Sequence, residues 1–169
     1  MTPEDNEMLE VVDREGTVVG LARRSELHGD PSLTHRVVHV LVFNNKGEIL
    51  LQKRSLMKDV APGKWDTSVG GHVNPGEDVL GAATREMAEE LGISEVKLDF
   101  LYTHLFSDNT ESELVSSYSC VYSGEINFDR DEITEVGFWD FERIRENLGK
   151  DIFSRHFEEE ISTFFRLKS

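Results

Sequence analysis

Residues 71–93 read GHVNPGEDVLGAATREMAEELGI, and the sequence of turn and helix signals in this stretch decides the fold. Asn74-Pro75-Gly76 is turn chemistry, with proline fixing one φ and glycine freeing the next. Glu77 and Asp78 then set acids at the positive end of a helix. From Asp78 to Leu91 no proline interrupts, and Ala, Leu, Met, Arg and Glu dominate, all good helix formers. Gly92 stands where a left-handed C-terminal cap is expected. The spacing predicts a helix over 78–91 whose apolar stripe is Leu80, Met87 and Leu91, with Ala83 on its margin. Glu86, Glu89 and Glu90 fall at i, i+3 and i+4 and project together from a neighbouring face. Their repulsion costs a bare helix about 0.2–0.5 kcal/mol per pair, and a bound divalent cation would reverse that sign. Arg85, one residue earlier, offers a planar fork to a carboxylate or a backbone carbonyl.

An ordinary acidic helix face accounts for a Glu-Glu pair in a chain this acidic, but not for the full pattern. Gly71, Glu77, Arg85, Glu86, Glu89, Glu90 and Gly92, at roughly 5–10% usage each, coincide by chance on the order of once in a million. The stretch resembles the signature of the Nudix hydrolases, enzymes that cleave a nucleoside diphosphate linked to another group. Met87 departs mildly, standing where that signature usually carries Leu, Ile or Val. The resemblance implies an α/β (α+β) fold, an α/β/α sandwich with a mixed β-sheet, in which the signature forms a loop–helix–loop. It further implies that Glu86, Glu89 and Glu90 bind Mg²⁺ or Mn²⁺, that Arg85 orients a carboxylate, and that Glu77 supports the helix. A carboxylate should also deprotonate the attacking water. Glu86 is the first choice, and Glu111 or Glu113 on the 108–113 loop the second.

Composition agrees with one domain spanning 1–169, long enough to bury a core. The longest apolar runs are only a few residues, so no transmembrane helix is expected. The acidic N-terminus lacks a signal-like apolar region, which reads as cytoplasmic. The single cysteine, Cys120, lies in a strand-like run and reads as a packed small hydrophobe. A net charge of −15 disfavours duplex nucleic acid as a partner and repels anionic substrates generally. Metal ions would offset that field locally, as would the basic residues Lys53, Arg54, Lys58 and Lys64 just before the signature. Lys53, Arg54 and Lys64 are therefore candidates for holding a substrate phosphate. Trp65 either walls the pocket or packs in the core, and the backbones of Gly70 and Gly71 permit close approach of substrate.

Elsewhere the chain alternates strand and helix signals without regular βα repeats, as expected of a layered mixed sheet. Residues 8–22 read as an N-terminal hairpin and Val37–Phe43 as a buried strand. Strands follow near 49–52, 66–70, 96–106, 114–123 and 134–139, and helices over 141–148 and 154–166. Ile152, Phe153, Phe157, Ile161, Phe164 and Phe165 recur at helical spacing, which suits core or interface packing in a monomer or homodimer.

Across residues 8–145 the chain also resembles the isopentenyl-diphosphate isomerase-like group, through Glu10-Val11-Val12-Asp13, Gly16, Ser25-Glu26-Leu27-His28, His35-Arg36, Pro62-Gly63-Lys64-Trp65-Asp66 and Gly71-His72. In those isomerases a cysteine precedes the equivalent of His72 by two positions; here it is Gly70. Alignment sets Val115 and Ser117 where the isomerases carry a glutamate pair, with Glu111 and Glu113 displaced from it. The resemblance thus implies a metal-dependent hydrolase of a small diphosphate on an isomerase-like scaffold. The alternatives are the isomerase itself and a non-catalytic nucleotide-binding module. His28, His35 and His72 match the positions that bind a second metal in the isomerases.

Overall fold

The computed structural model describes residues 3–168. The N-terminal hairpin pairs β1 (Met8–Val12) with β2 (Val18–Arg23) around a tight turn in which Gly16 takes φ +84°. A one-turn helix follows, α1 (Arg24–Leu27), which the sequence pattern does not announce. Then come β3 (Thr34–Phe43), β4 (Ile49–Arg54), β5 (Trp65–Asp66), β6 (Val69–His72) and the signature helix α2 (Val79–Leu91). β7 (Asp99–Ser107), β8 (Ser112–Val121), β9 (Ile133–Trp139), α3 (Phe141–Asn147) and α4 (Arg155–Leu167) complete the chain.

β3 organises the curled mixed sheet. One of its edges pairs in parallel with β8 along all ten residues. The other edge is divided among three antiparallel partners: β1 at Thr34 and His35, β6 from Val37 to Val40, and β4 at Phe43 alone. β4 therefore diverges from β3 and continues with β5 and β9. A strand edge shared in this way leaves a cleft between β6 and β4, and the site lies there.

Side chains of β3 alternate between two apolar layers, as strand geometry requires. Val38, Val40 and Val42 pack with Met87, Leu91, Ala82 and Ala83 of α2. Leu41 packs with Phe157 and Ile161 of α4 and with Ile49, Leu51 and Trp139. α2 starts at Asp78, whose side chain accepts the Gly81 N–H at 2.7 Å, and ends at Gly92 with φ +67°. α4 starts at Ser154, which accepts the Phe157 N–H at 3.0 Å. The aromatic residues of the C-terminal segment are taken up by this second layer. Cys120 is buried in the first, its thiol pushed up to about 11 by burial and by the charge of Asp99.

Leu80 departs from the predicted stripe. It is 48% exposed, while Ala82, Ala83, Met87 and Leu91 are buried. Val79 of the same turn packs on the first layer while Leu80 is left out of it, so apolar spacing alone does not bury it. Met87→Ala is expected to lower unfolding stability by about 2–5 kcal/mol in urea titration, whereas Leu80→Ala stays within roughly 0.5 kcal/mol. Equal losses at the two positions would contradict this packing.

Candidate active site

The signature turn and helix are joined by one arginine. Arg85 grips Glu77 with two parallel bonds, Nε to Oε2 at 2.9 Å and Nη2 to Oε1 at 3.0 Å, and Nη2 also donates to the His72 carbonyl at 3.0 Å. Its Nη1 reaches Glu86 at 2.8 Å and Glu89 at 3.3 Å. Glu77 in turn accepts the Asn74 N–H, so turn, helix and β6 hold together through a single bidentate pair. Gly71 is required for this arrangement. A Cβ there would lie 2.2 Å from the Glu86 carboxyl carbon.

Glu90 is set differently. Its Oε1 accepts from Gln52 Nε2 at 2.8 Å, while Oε2 is shut off from solvent without a partner. Burial, then the neighbouring charge of Glu86, pushes this carboxyl well above the usual range. Glu86, Glu89 and Glu90 all line one cavity of about 400 Å³ together with Gly70 and Gly71. They do not form a tight three-carboxylate cluster, because Arg85 draws Glu86 and Glu89 to itself.

A second constellation faces the same cavity. His28 caps α1, His35 lies on β3 and His72 on β6, with ring centroids 5.2–6.0 Å apart. Parallel pairing sets Glu113 beside His35, and the turn made by Asp108, whose side chain accepts the Thr110 and Glu111 N–H groups, brings in Glu111. One ligand atom from each of His28, His35 and His72 lies within 4.8 Å of the others, and the same holds for His35, Glu111 and Glu113. The displaced glutamates of the sequence alignment are thus the ones that meet the histidines. Val115 instead packs with Val37 and Phe106, and Ser117 bonds elsewhere. The reason is the register of β8 on β3, which an alignment of β8 alone does not contain.

The donors of this group are poorly used by the protein itself. Both ring nitrogens of fully buried His35 lack a hydrogen-bond partner. His28 Nε2 and Glu111 Oε2 lie 2.9 Å apart without hydrogen-bond alignment. Leaving such buried groups unpaired costs about 1–3 kcal/mol each, which a shared cation would offset. Three imidazoles and two carboxylates suit a divalent transition metal, so the residues fit. From the other side His156 of α4 holds the Oε1 atoms, at 2.9 Å from Glu111 and 3.1 Å from Glu113. Burial opposes charge on all three groups, but their mutual bonds prevail. Glu111 is held down at about 2, Glu113 well below the carboxylate range, and His156 is pushed up to about 10.

Among the expected phosphate-binding residues, Arg54 lines the cavity, held by Asp66 at 3.2 Å and the Val60 carbonyl at 2.8 Å. Lys53, next along β4, turns to the opposite face beside Trp65 and Glu135, and Lys64 pairs with Asp151 at 2.7 Å. Trp65 packs on Trp139 with ring centroids 5.3 Å apart. These three side chains do not line the cavity. Lys58 does, paired with Glu132, and so does Arg24, bridging Asp5 and Asp59. Arg24, His39, Gln52 and His156 carry no motif, so sequence reasoning passed over them.

The chain is 34% identical over 156 residues to an isopentenyl-diphosphate Δ-isomerase of Streptomyces avermitilis, covering 89% of this chain and 79% of that one. It is also 34% identical over 130 residues to YfcD, an uncharacterised Nudix hydrolase of Escherichia coli K12, covering 77% and 72%. The crystal structure of DR0079 from Deinococcus radiodurans superimposes with a TM-score of 0.81 at 24% identity, covering 96% of this chain and 100% of that one, a likeness of fold. The MutT protein of Methanosarcina mazei gives 0.67 at 26% identity, covering 81% and 95%. The sequence model of the NUDIX domain matches residues 33–160. With the glutamate helix, its bracing arginine and this fold in place, the chain belongs to the NUDIX family.

Proposed function

We propose that this chain is a metal-dependent hydrolase that cleaves the diphosphate linkage of a nucleoside diphosphate derivative or a related small diphosphate. The observation that carries this reading is one cavity lined by both the signature carboxylates and His28, His72, Glu111 and Glu113, with Arg24, Arg54 and Lys58 on its wall. His28, His35, His72, Glu111 and Glu113 would hold Mn²⁺ or a similar transition metal. Glu86, Glu89 and Glu90 would hold Mg²⁺ or Mn²⁺ carried in with the substrate. Such cations polarise the phosphoryl oxygens and neutralise charge on the leaving phosphate. The protein's own part is to bind and orient. Arg54 and Lys58 are placed to bind phosphate oxygens, and the Gly70–Gly71 backbone admits the substrate without a Cβ in the way. His156 keeps Glu111 and Glu113 turned toward the histidines.

A second reading is favoured by the presence of Glu113 beside His35, since the similar isomerase of Streptomyces avermitilis acts on isopentenyl diphosphate. Gly70 lacks the thiol on which the resembling isomerases depend, so hydrolysis is preferred. Nucleoside triphosphates, nucleotide sugars, dinucleotides and prenyl diphosphates, each with Mg²⁺ and then Mn²⁺, separate the two. Hydrolysis releases phosphate or a nucleoside monophosphate, whereas isomerisation moves a double bond and releases neither.

Glu90→Gln is expected to lower turnover at least 100-fold with an unchanged melting temperature, and wild-type-like turnover would remove Glu90 from the site. Protein purified without chelator should carry transition metal by elemental analysis. Chelation should lower its melting temperature, and a His35→Ala/His72→Ala variant should lose both the metal and that response. Metal retained by the variant would refute the histidine site. In metal-free protein the raised pKa of His156 contributes stability fully below pH 6.5 that is lost as pH rises toward 10. His156→Asn should therefore melt lower at pH 6.5 and show a flatter decline from there to pH 10. An unchanged slope would show that the His156 ion pairs do not set it.

A further inference from the structure

On the α4 side of β3, four residues beyond His35, lies a buried polar chain that neither the signature nor the metal donors explain. His39 Nδ1 is 2.7 Å from Glu160 Oε1. Ser117 Oγ donates to the same oxygen at 2.5 Å, and the Tyr102 hydroxyl donates to Oε2. Glu160 is completely buried on the apolar face of α4, between Phe157 and Ile161. Packing gives no reason for a carboxylate there, since apolar residues serve such positions at least as well. What the carboxylate does is fix an imidazole.

The geometry sets the proton positions. Burial raises the Glu160 carboxyl, but the bond from His39, the nearby His39 and His104 and the Ser117 hydroxyl bring it below its ordinary value, so it stays ionised and only accepts. His39 Nδ1 then carries the hydrogen of that bond, so in the neutral ring the lone pair is on Nε2. His39 lines the cavity, and this nitrogen is on the side of its ring next to Gly70. It lies 3.6 Å from where a Cβ on Gly70 would be, so the absent side chain at position 70 is what gives it room. Of the carboxylates on the wall, Glu86 and Glu89 are each held by Arg85 and Glu111 and Glu113 each face His156 through one oxygen, while the unpartnered oxygen of Glu90 is shut off from solvent.

We propose that His39 is the general base that activates the attacking water, and that Glu160 is its positioning residue; this rests on the hydrolytic reading above. As the water oxygen bonds to phosphorus, Nε2 takes one of its protons. The bond from phosphorus to the bridging oxygen breaks, and its electron pair leaves with the departing phosphate. The imidazolium, stabilised by ionised Glu160, returns its proton to solvent when the products leave. The groups around His39 are Glu160 of α4, His104 of β7 and Ser117 of β8 beside it, Tyr102 of β7 on the same carboxylate, and Asp66 of β5 near enough to feel its charge. Burial lowers His104, favouring its neutral form, and both its nitrogens lack partners.

The test uses the full chain and whichever diphosphate of the panel it cleaves. His39→Asn keeps an amide donor near the Nδ1 position for Glu160 and has no atom at Nε2. It should retain the wild-type fold and KM within about threefold, yet lower kcat by about 100-fold or more and abolish the acid limb of the kcat/KM profile. Imidazole ¹⁵N NMR should show wild-type His39 protonated on Nδ1 alone near neutral pH, and Glu160→Gln should lose that preference together with most of kcat. Unchanged kcat in His39→Asn, or an Nε2–H tautomer in the wild type, would overturn the role of His39 while leaving hydrolysis standing. Absence of any diphosphate cleavage by wild-type protein would overturn hydrolysis and the base together.

Discussion

The parallel pairing of β3 with β8 is the constraint from which the site follows. Ten consecutive residues lie side by side, so His35 must meet Glu113 and His39 must meet Ser117. Because side chains alternate, His35, Val37, His39 and Leu41 share one face, and His72 and Gly70 join them from β6 across Val37 and His39. A slip of one residue would turn every one of these groups into the apolar layer under α2. The other edge of β3 supplies the second half of the arrangement. Shared among β1, β6 and β4, it does not close, and the unclosed stretch opens the cavity between the two layers.

The wall of that cavity is strongly acidic. Carboxylates outnumber fixed cations on its wall, and each arginine or lysine there is tied to an acid: Arg24 to Asp5 and Asp59, Arg54 to Asp66, Lys58 to Glu132. An anionic substrate entering alone meets net repulsion, in keeping with the chain's charge of −15. A diphosphate accompanied by a divalent ion reverses the balance. Glu90 and His35 illustrate why: each carries buried polar atoms that the protein leaves without partners.

Local signals made α2 legible from sequence, since its turn, its caps at Asp78 and Gly92 and its Arg85–Glu77 brace all lie within twenty residues of one another. The same holds for the N-terminal hairpin and the apolar face of α4. Periodicity misplaces Leu80 because it records where a side chain points, not whether anything lies opposite. Glu111 and Glu113 were seen but placed out of position, because strand register between residues about eighty apart is a tertiary property. His39 with Glu160, separated by more than a hundred residues, left no trace in any local pattern. The basic island was read as a unit, yet strand alternation admits Arg54 to the cavity and turns Lys53 away.

The central claim is that the histidine–glutamate group and the signature helix serve one metal-bound diphosphate. It is tested most directly by anomalous diffraction from crystals grown with Mn²⁺ and inorganic pyrophosphate. The account predicts manganese among His28, His35, His72, Glu111 and Glu113, with a phosphate bridging toward Glu86 and Glu90. Histidines and glutamates still paired only with one another, and no manganese in the cavity, would contradict it.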